Sequence, residues 1–202
     1  MEPFIFTQRN GVQIINLEQT LERLKTALDF IQSQAAAGAV ILFLGTKKQS
    51  APIVAEAAKS CGMPFVTQRW IGGLITNFAE IKKSIKRFHD LKKEKETGVW
   101  VKYVKKEQLK REKELQKLQG QFNGIDTLTG VPDVIYVADM RTDKTAVTEA
   151  SRVGVKIVGV CDTNVNPDAA DYPIPANDDG VKAVSMLARL VADAVNEGKK
   201  EY

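Results

Sequence analysis

Ala39-Val40-Ile41-Leu42-Phe43-Leu44-Gly45 is the stretch on which the fold turns. Six apolar residues in a row, with no polar alternation, do not suit a strand with one wet face. A run this short, closed by glycine, reads as a strand buried on both faces. Working outward, the pattern returns at Val134-Ile135-Tyr136-Val137-Ala138, ending at Asp139, and at Lys156-Ile157-Val158-Gly159-Val160-Cys161, ending at Asp162. Pro64-Phe65-Val66 reads as a shorter strand. Tyr172-Pro173-Ile174-Pro175 reads as an edge strand, because proline cannot donate to a central ladder.

Helical spacing fills the gaps. Leu17, Leu21, Leu24, Leu28 and Ile31 fall at steps of three and four, with Gly38 as the stop. Gln49 to Ser60 is alanine-rich with an early Pro52, and Cys61-Gly62 ends it. Further helices are expected from about Thr145 to Val153 and from Asn177-Asp178-Asp179 to about Asn196. Strands alternating with helices predict an α/β fold: a Rossmann-like (flavodoxin-like) parallel sheet sandwiched by helices. Between its halves lie two charged helical stretches. One carries Phe78, Ile81, Ile85, Phe88 and Leu91; the other carries Leu109, Leu115, Leu118 and Phe122; Thr97-Gly98 breaks them. Their thin apolar seams predict an antiparallel, coiled-coil-like hairpin. The expected division is a body of residues 1–78 and 123–202 and a protruding basic hairpin of residues 79–122, acting as a positioning arm on which the body's stability does not depend.

The formal charge of +4 hides an asymmetry. Between Lys82 and Lys117 there are 14 Lys and Arg against 6 Asp and Glu, whereas the remaining chain is net acidic. Such asymmetry points to an acidic partner, nucleic acid above all. No run approaches the ~18 to 20 apolar residues of a membrane span, and no secretory signal is visible at Met1-Glu2-Pro3-Phe4. No membrane partner is expected, and the expected location is the cytoplasm. Cys61 and Cys161 stand in apolar surroundings and read as reduced, buried thiols, not as a disulfide or a zinc site.

A sheet of this kind often binds nucleotides at the carboxyl ends of its strands, so an enzyme is the natural rival. Leu44-Gly45-Thr46-Lys47-Lys48-Gln49 has one glycine where a phosphate loop needs two, and no G-x-G-x-x-G occurs. Asp139 and Asp162 both follow strands; without a basic or nucleophilic partner at a recognisable spacing, they read as turn and cap residues. His89, the single histidine, lies on the charged hairpin. No catalytic residue, metal site, cofactor or small-molecule substrate is expected. A nucleotide-binding enzyme would be exposed by nucleotide titration. A protein-interaction scaffold, the third reading, would bind RNA weakly and without site preference.

Gln68-Arg69-Trp70-Ile71-Gly72-Gly73-Leu74-Ile75-Thr76-Asn77-Phe78 closely resembles a signature of the second small-subunit ribosomal protein family. Further stretches resemble that family in the same order: Phe4-Ile5-Phe6 with Arg9-Asn10-Gly11, Phe43-Leu44-Gly45-Thr46-Lys47-Lys48-Gln49, Pro132-Asp133, Asp162-Thr163-Asn164, and Pro173-Ile174-Pro175-Ala176-Asn177-Asp178-Asp179. The resemblance implies a structural constituent of the small ribosomal subunit that binds 16S-type ribosomal RNA between head and body. It also implies help in docking the largest small-subunit protein, and an α/β sandwich with a helical hairpin. Relatives in that family usually carry a helical segment with a Gly-His stretch ahead of the Phe-Ile-Phe region.

Lysine and arginine contacts to phosphate supply most RNA affinity. The first candidates are Arg9, Lys47, Lys48 and Arg69. Lys47 and Lys48 follow a strand, so their side chains are expected to leave the core. Trp70 either stacks on an unpaired base or packs beneath its loop. Gly72 and Gly73 either admit a close approach to another surface or make a tight internal turn. The hairpin adds Lys82, Lys83, Lys86, Arg87, Lys106, Lys110 and Arg111, with Lys92, Lys93 and Lys105 beside them; some of these only solvate a helix face.

Overall fold

Side chains alternate across a strand, so each buried strand gives half its residues to each face of a sheet. In β3 (Ile41–Leu44), Ile41 and Phe43 enter one core and Leu42 and Leu44 the other. In β5 (Val134–Val137), Val134 and Tyr136 join the first and Ile135 and Val137 the second. All eight are fully buried, which is why neither run shows polar alternation. The computed structural model describes residues 1–9 and 11–201; Asn10 of the Arg9-Asn10-Gly11 motif lies outside them.

With β4 (Phe65–Val66), β6 (Lys156–Cys161) and β7 (Tyr172–Pro175), these strands form a five-stranded parallel sheet in the order β4-β3-β5-β6-β7. Phe43 stands beside Tyr136, Tyr136 beside Val158, and Val158 beside Tyr172. Pro173 and Pro175 lie on the edge strand, where a missing N–H does no harm.

Helices cover both faces. On the first lie α1 (Leu17–Ala36), α2 (Ala51–Ser60) and α6 (Val181–Glu201). Asn16 starts α1 by accepting from the Glu18 and Gln19 amides. At Gly198 a β-carbon would stand 2.3 Å from the Gln32 carbonyl, so α6 can approach α1 only with glycine there. The apolar spacing of α1 overstates its burial: Leu24, Ala27, Ile31 and Ala35 are buried, but Leu17 and Leu21 are 76% and 68% exposed. A hairpin of β1 (Ile5–Arg9) and β2 (Val12–Ile15) precedes the helix, where the sequence reads only as a short apolar run.

The second face is covered by α5 (Lys144–Val153), by residues 67–77, and by the base of a helical pair, α3 (Phe78–Glu96) and α4 (Lys105–Phe122). Gly98 (φ 70°) and the single-turn helix Val99–Lys102 connect the pair. Leu115 and Phe122 are buried as the seam predicts, but Leu109 is 63% exposed, because the pair packs there through Trp100 and Tyr103 instead. Ile81, Ile85, Phe88 and Phe122 share one core with Leu42 and Ile135 of the sheet. The pair is therefore rooted in the body's own core. Among the described residues, no helix is long and apolar enough to cross a membrane.

Candidate nucleic-acid interface

In a parallel sheet every strand ends at the same edge, so the loops that follow the strands converge. The glycine-rich segment follows β4, and a residue from another element shapes it. Glu149 of α5 accepts from the Trp70 indole N–H (3.1 Å), from the amides of Gly73 (2.9 Å), Ile75 (3.3 Å) and Thr76 (3.4 Å), and from the Thr76 hydroxyl (3.2 Å). Burial works against the charge of this carboxylate, but these donors outweigh it and hold Glu149 below the usual glutamate range. Gly73 turns with φ +88°, a conformation that side chains resist, whereas Gly72 has open space around it. The double glycine thus contains one obligatory turn residue. Nothing in the sequence marks Glu149; its role rests on a separation of more than seventy residues.

Of the two readings open for Trp70 one is met, and the expectation for Lys47 needs correction. Trp70 is buried and its indole donates to Glu149, so it packs beneath the loop and offers no face to a base. Lys47 does not leave the core as a free charge. Its ammonium lies 3.3 Å from Asp139, 3.0 Å from Asp178 and 2.5 Å from Asp179. Asp139 and Asp178 are buried, and two buried carboxylates close together need a counter-ion more than a distant phosphate does. Burial disfavours the Lys47 charge, yet the three carboxylates overcome that and raise its pKa well above the ordinary value.

One ammonium does not serve all its neighbours equally. Burial pushes Asp139 up, but the Thr142 amide and hydroxyl together with Lys47 leave it below the ordinary aspartate value. Asp178 stays raised, because burial and the nearby Asp139 charge outweigh its share of Lys47. Burial likewise raises Asp143, and the Thr46 hydroxyl and amide offset it only in part. Asp139 also receives the Arg141 and Thr142 amides, as a turn-capping residue does, and Asn177 accepts from Asp179 and Gly180 just ahead of α6. Among the described residues, no group of three or more His, Cys, Asp or Glu is arranged to hold a metal ion. Burial also pushes the thiols up, Cys61 to about 11 and Cys161 to about 12.

At the same strand-end edge as this cluster stands a rim of exposed cations. Arg69 follows β4, Lys48 follows β3, and Arg141 and Lys144 follow β5. None of the four makes an ion pair among the described residues. Arg141 and Lys144 escape the sequence reading, although each follows a buried strand just as Lys48 does. Arg9 is exposed on the β1–β2 hairpin, which leads into α1.

The hairpin cations divide. Arg87 pairs with Glu114 (3.0 and 3.3 Å), Arg111 with Glu94 (2.6 Å), and Lys95 with Glu112 (2.8 Å); each bond ties α3 to α4. Arg111 also lies over the Tyr103 ring. Arg87 and Arg111 are therefore hairpin braces before anything else. Lys83 pairs within its own helix with Glu80. Lys82, Lys86, Lys106 and Lys110 are exposed, with no ion pair among the described residues.

A strand-end cation rim, a basic helical pair and a glycine-rich loop held by a remote carboxylate form one arrangement. The family model for ribosomal protein S2 matches residues 1–198. The chain belongs to the ribosomal protein S2 family. Its role is accordingly that of a small-subunit ribosomal protein in translation, and the family accounts for the excess of basic charge on the helical pair.

Proposed function

We propose that the chain binds small-subunit ribosomal RNA between head and body, without catalysing a reaction, through the rim of Lys48, Arg69, Arg141 and Lys144. Arg9 and the lysines Lys82, Lys86, Lys106 and Lys110, which have no ion pair among the described residues, extend the contact. Lys83 and the braces Arg87 and Arg111 border it. The observation that carries this reading is the rim itself: exposed cations that follow three neighbouring strands, with no carboxylate partner among the described residues, at one edge of a sheet in a ribosomal family. In this reading the protein works in the cytoplasm, as part of the ribosome, and helps to dock the largest small-subunit protein. The strand order supports a flavodoxin-like, doubly wound body of residues 1–78 and 123–202. The cross-braced helices support a coiled-coil-like arm over residues 79–122.

The test is incorporation. Purified protein is added to small-subunit particles lacking their own copy and sedimented at moderate salt. Stoichiometric incorporation is expected. Lys48→Ala with Arg69→Ala and Arg141→Ala should reduce it, and filter binding to ribosomal RNA should lose about 0.7 to 0.9 of its log–log salt slope per phosphate contact removed. Full incorporation and an unchanged slope in the triple variant would remove the rim from the interface.

A further inference from the structure

At the foot of the helical pair, the end of α4 meets the sheet edge at β4, where the Phe65 amide donates to the Gly124 carbonyl (2.7 Å), and a cleft of about 360 Å³ opens beside that contact. Its chemistry is unusual for this chain. Gln68, Gln116, Gln119, Gln121 and Asn123 line it, with the half-buried Phe65 ring, and no lining residue is charged. Among the described residues, the only hydrogen bond these carboxamides donate or accept is a long one, from Gln116 to Glu112 at 3.4 Å. A carboxamide presents a planar acceptor beside two donors. No lining side chain is a cation to hold an anion, the nearby Lys59 ammonium being engaged over the Phe65 ring (5.5 Å to its centroid), and an apolar ligand would leave the amides unsatisfied. A nucleobase edge, which alternates donors and acceptors in a plane, matches it.

The neighbouring face of α4 supplies the second observation. Lys106, Lys110, Lys113 and Lys117 fall at steps of four, three and four, so they share one stripe, about 16 Å long at 1.5 Å per residue. All four are exposed, and none is ion-paired among the described residues. Glu112 and Glu114 are drawn away to Lys95 and Arg87 of α3. The stripe ends at Lys117, next in sequence to Gln116, and Arg69 is next in sequence to Gln68. A charged track leading to a neutral, amide-lined cleft suits a strand whose backbone is anionic and whose bases are neutral.

We propose that this cleft holds one unpaired nucleobase of the ribosomal RNA, while the adjoining phosphates follow the α4 stripe. The proposal rests on the RNA-binding reading above and adds a base-recognition site to it. The full-length chain is titrated with transcribed small-subunit ribosomal RNA and with an unrelated RNA duplex, across a salt series. Gln119→Ala with Asn123→Ala should weaken ribosomal RNA binding roughly 10-fold, leave the salt slope and the duplex affinity unchanged, and expose one base to chemical modification that wild type protects. Lys113→Ala with Lys117→Ala should instead lower the slope by about 1.5 for both RNAs. Near-wild-type melting of both variants keeps the comparison valid. If wild type binds with strong salt dependence but the amide variant changes neither affinity nor base protection, the cleft is not a base site and the RNA reading stands. If wild type binds neither RNA in a salt-dependent way, the RNA reading and the cleft both fail. Binding of a peptide in the cleft without RNA competition would also overturn the proposal.

Discussion

Tyr136 shows how much one atom of a buried strand matters. Its ring packs edge-on to Phe43 at 5.5 Å, yet its hydroxyl is buried without a partner among the described residues. Burial alone pushes its ionisation far above the ordinary tyrosine value. A buried, unsatisfied hydroxyl costs about 1 kcal/mol or more, so Tyr136→Phe should stabilise the protein by about that much. The urea midpoint should rise with an unchanged slope. Glu149 is the opposite case, a carboxylate with five donors. Glu149→Ala should cost about 2 kcal/mol and speed amide exchange at Gly73, Ile75 and Thr76. Its pH dependence has a definite sign. The folded pKa lies below the unfolded one, so the ionised form stabilises the fold above the ordinary glutamate value of about 4.3. That contribution disappears as pH falls through the depressed folded value. The stability difference between wild type and Glu149→Gln should therefore shrink on acidification below about pH 4. At this scale the sequence was a poor guide. Trp70, Lys47 and Glu149 are defined by partners 79, 92 and 76 residues away (Glu149, Asp139 and Gly73, respectively), and no local pattern encodes such distances.

At the scale of elements the sequence was a far better guide. Strand runs, helix spacing and the Thr97-Gly98 break all appear in the structure within a few residues, because hydrophobic periodicity is itself a local quantity. The helical pair shows where that ends. Read alone, it is a separable arm; in the structure Ile81, Ile85, Phe88 and Phe122 are part of the sheet's core. Replacing residues 93–112 by a short linker removes Trp100 as its one buried apolar side chain and should leave one cooperative melting transition with only a modest loss of stability. Replacing residues 80–120 should lower stability by several kcal/mol, since each buried large apolar side chain contributes about 1.5 to 3 kcal/mol. Equal melting of the two deletions would restore the view that the arm contributes nothing to the body.

For the whole molecule, the decisive contrast lies between adjacent lysines. Lys47 bridges the end of β5 to the loop before α6, whereas Lys48 faces solvent. Lys47→Ala leaves buried carboxylates uncompensated and should cost about 3 kcal/mol. Lys48→Ala should leave the melting transition unchanged and weaken RNA binding. Thermal melting and filter binding on the two single variants separate the roles, and a stable Lys47→Ala protein with weakened binding would reverse the assignment. The sequence by itself determined the α/β class, the positions of the buried strands, the basic helical pair and the family, because each is written in local periodicity, charge density or ordered motifs. Only the tertiary structure decided which cations are free, which glycine turns, how far the helical pair is rooted in the core, and that Glu149 builds the loop. Those outcomes depend on which charges and donors meet when the strands of a parallel sheet end at one edge, and that meeting exists only once the chain has folded.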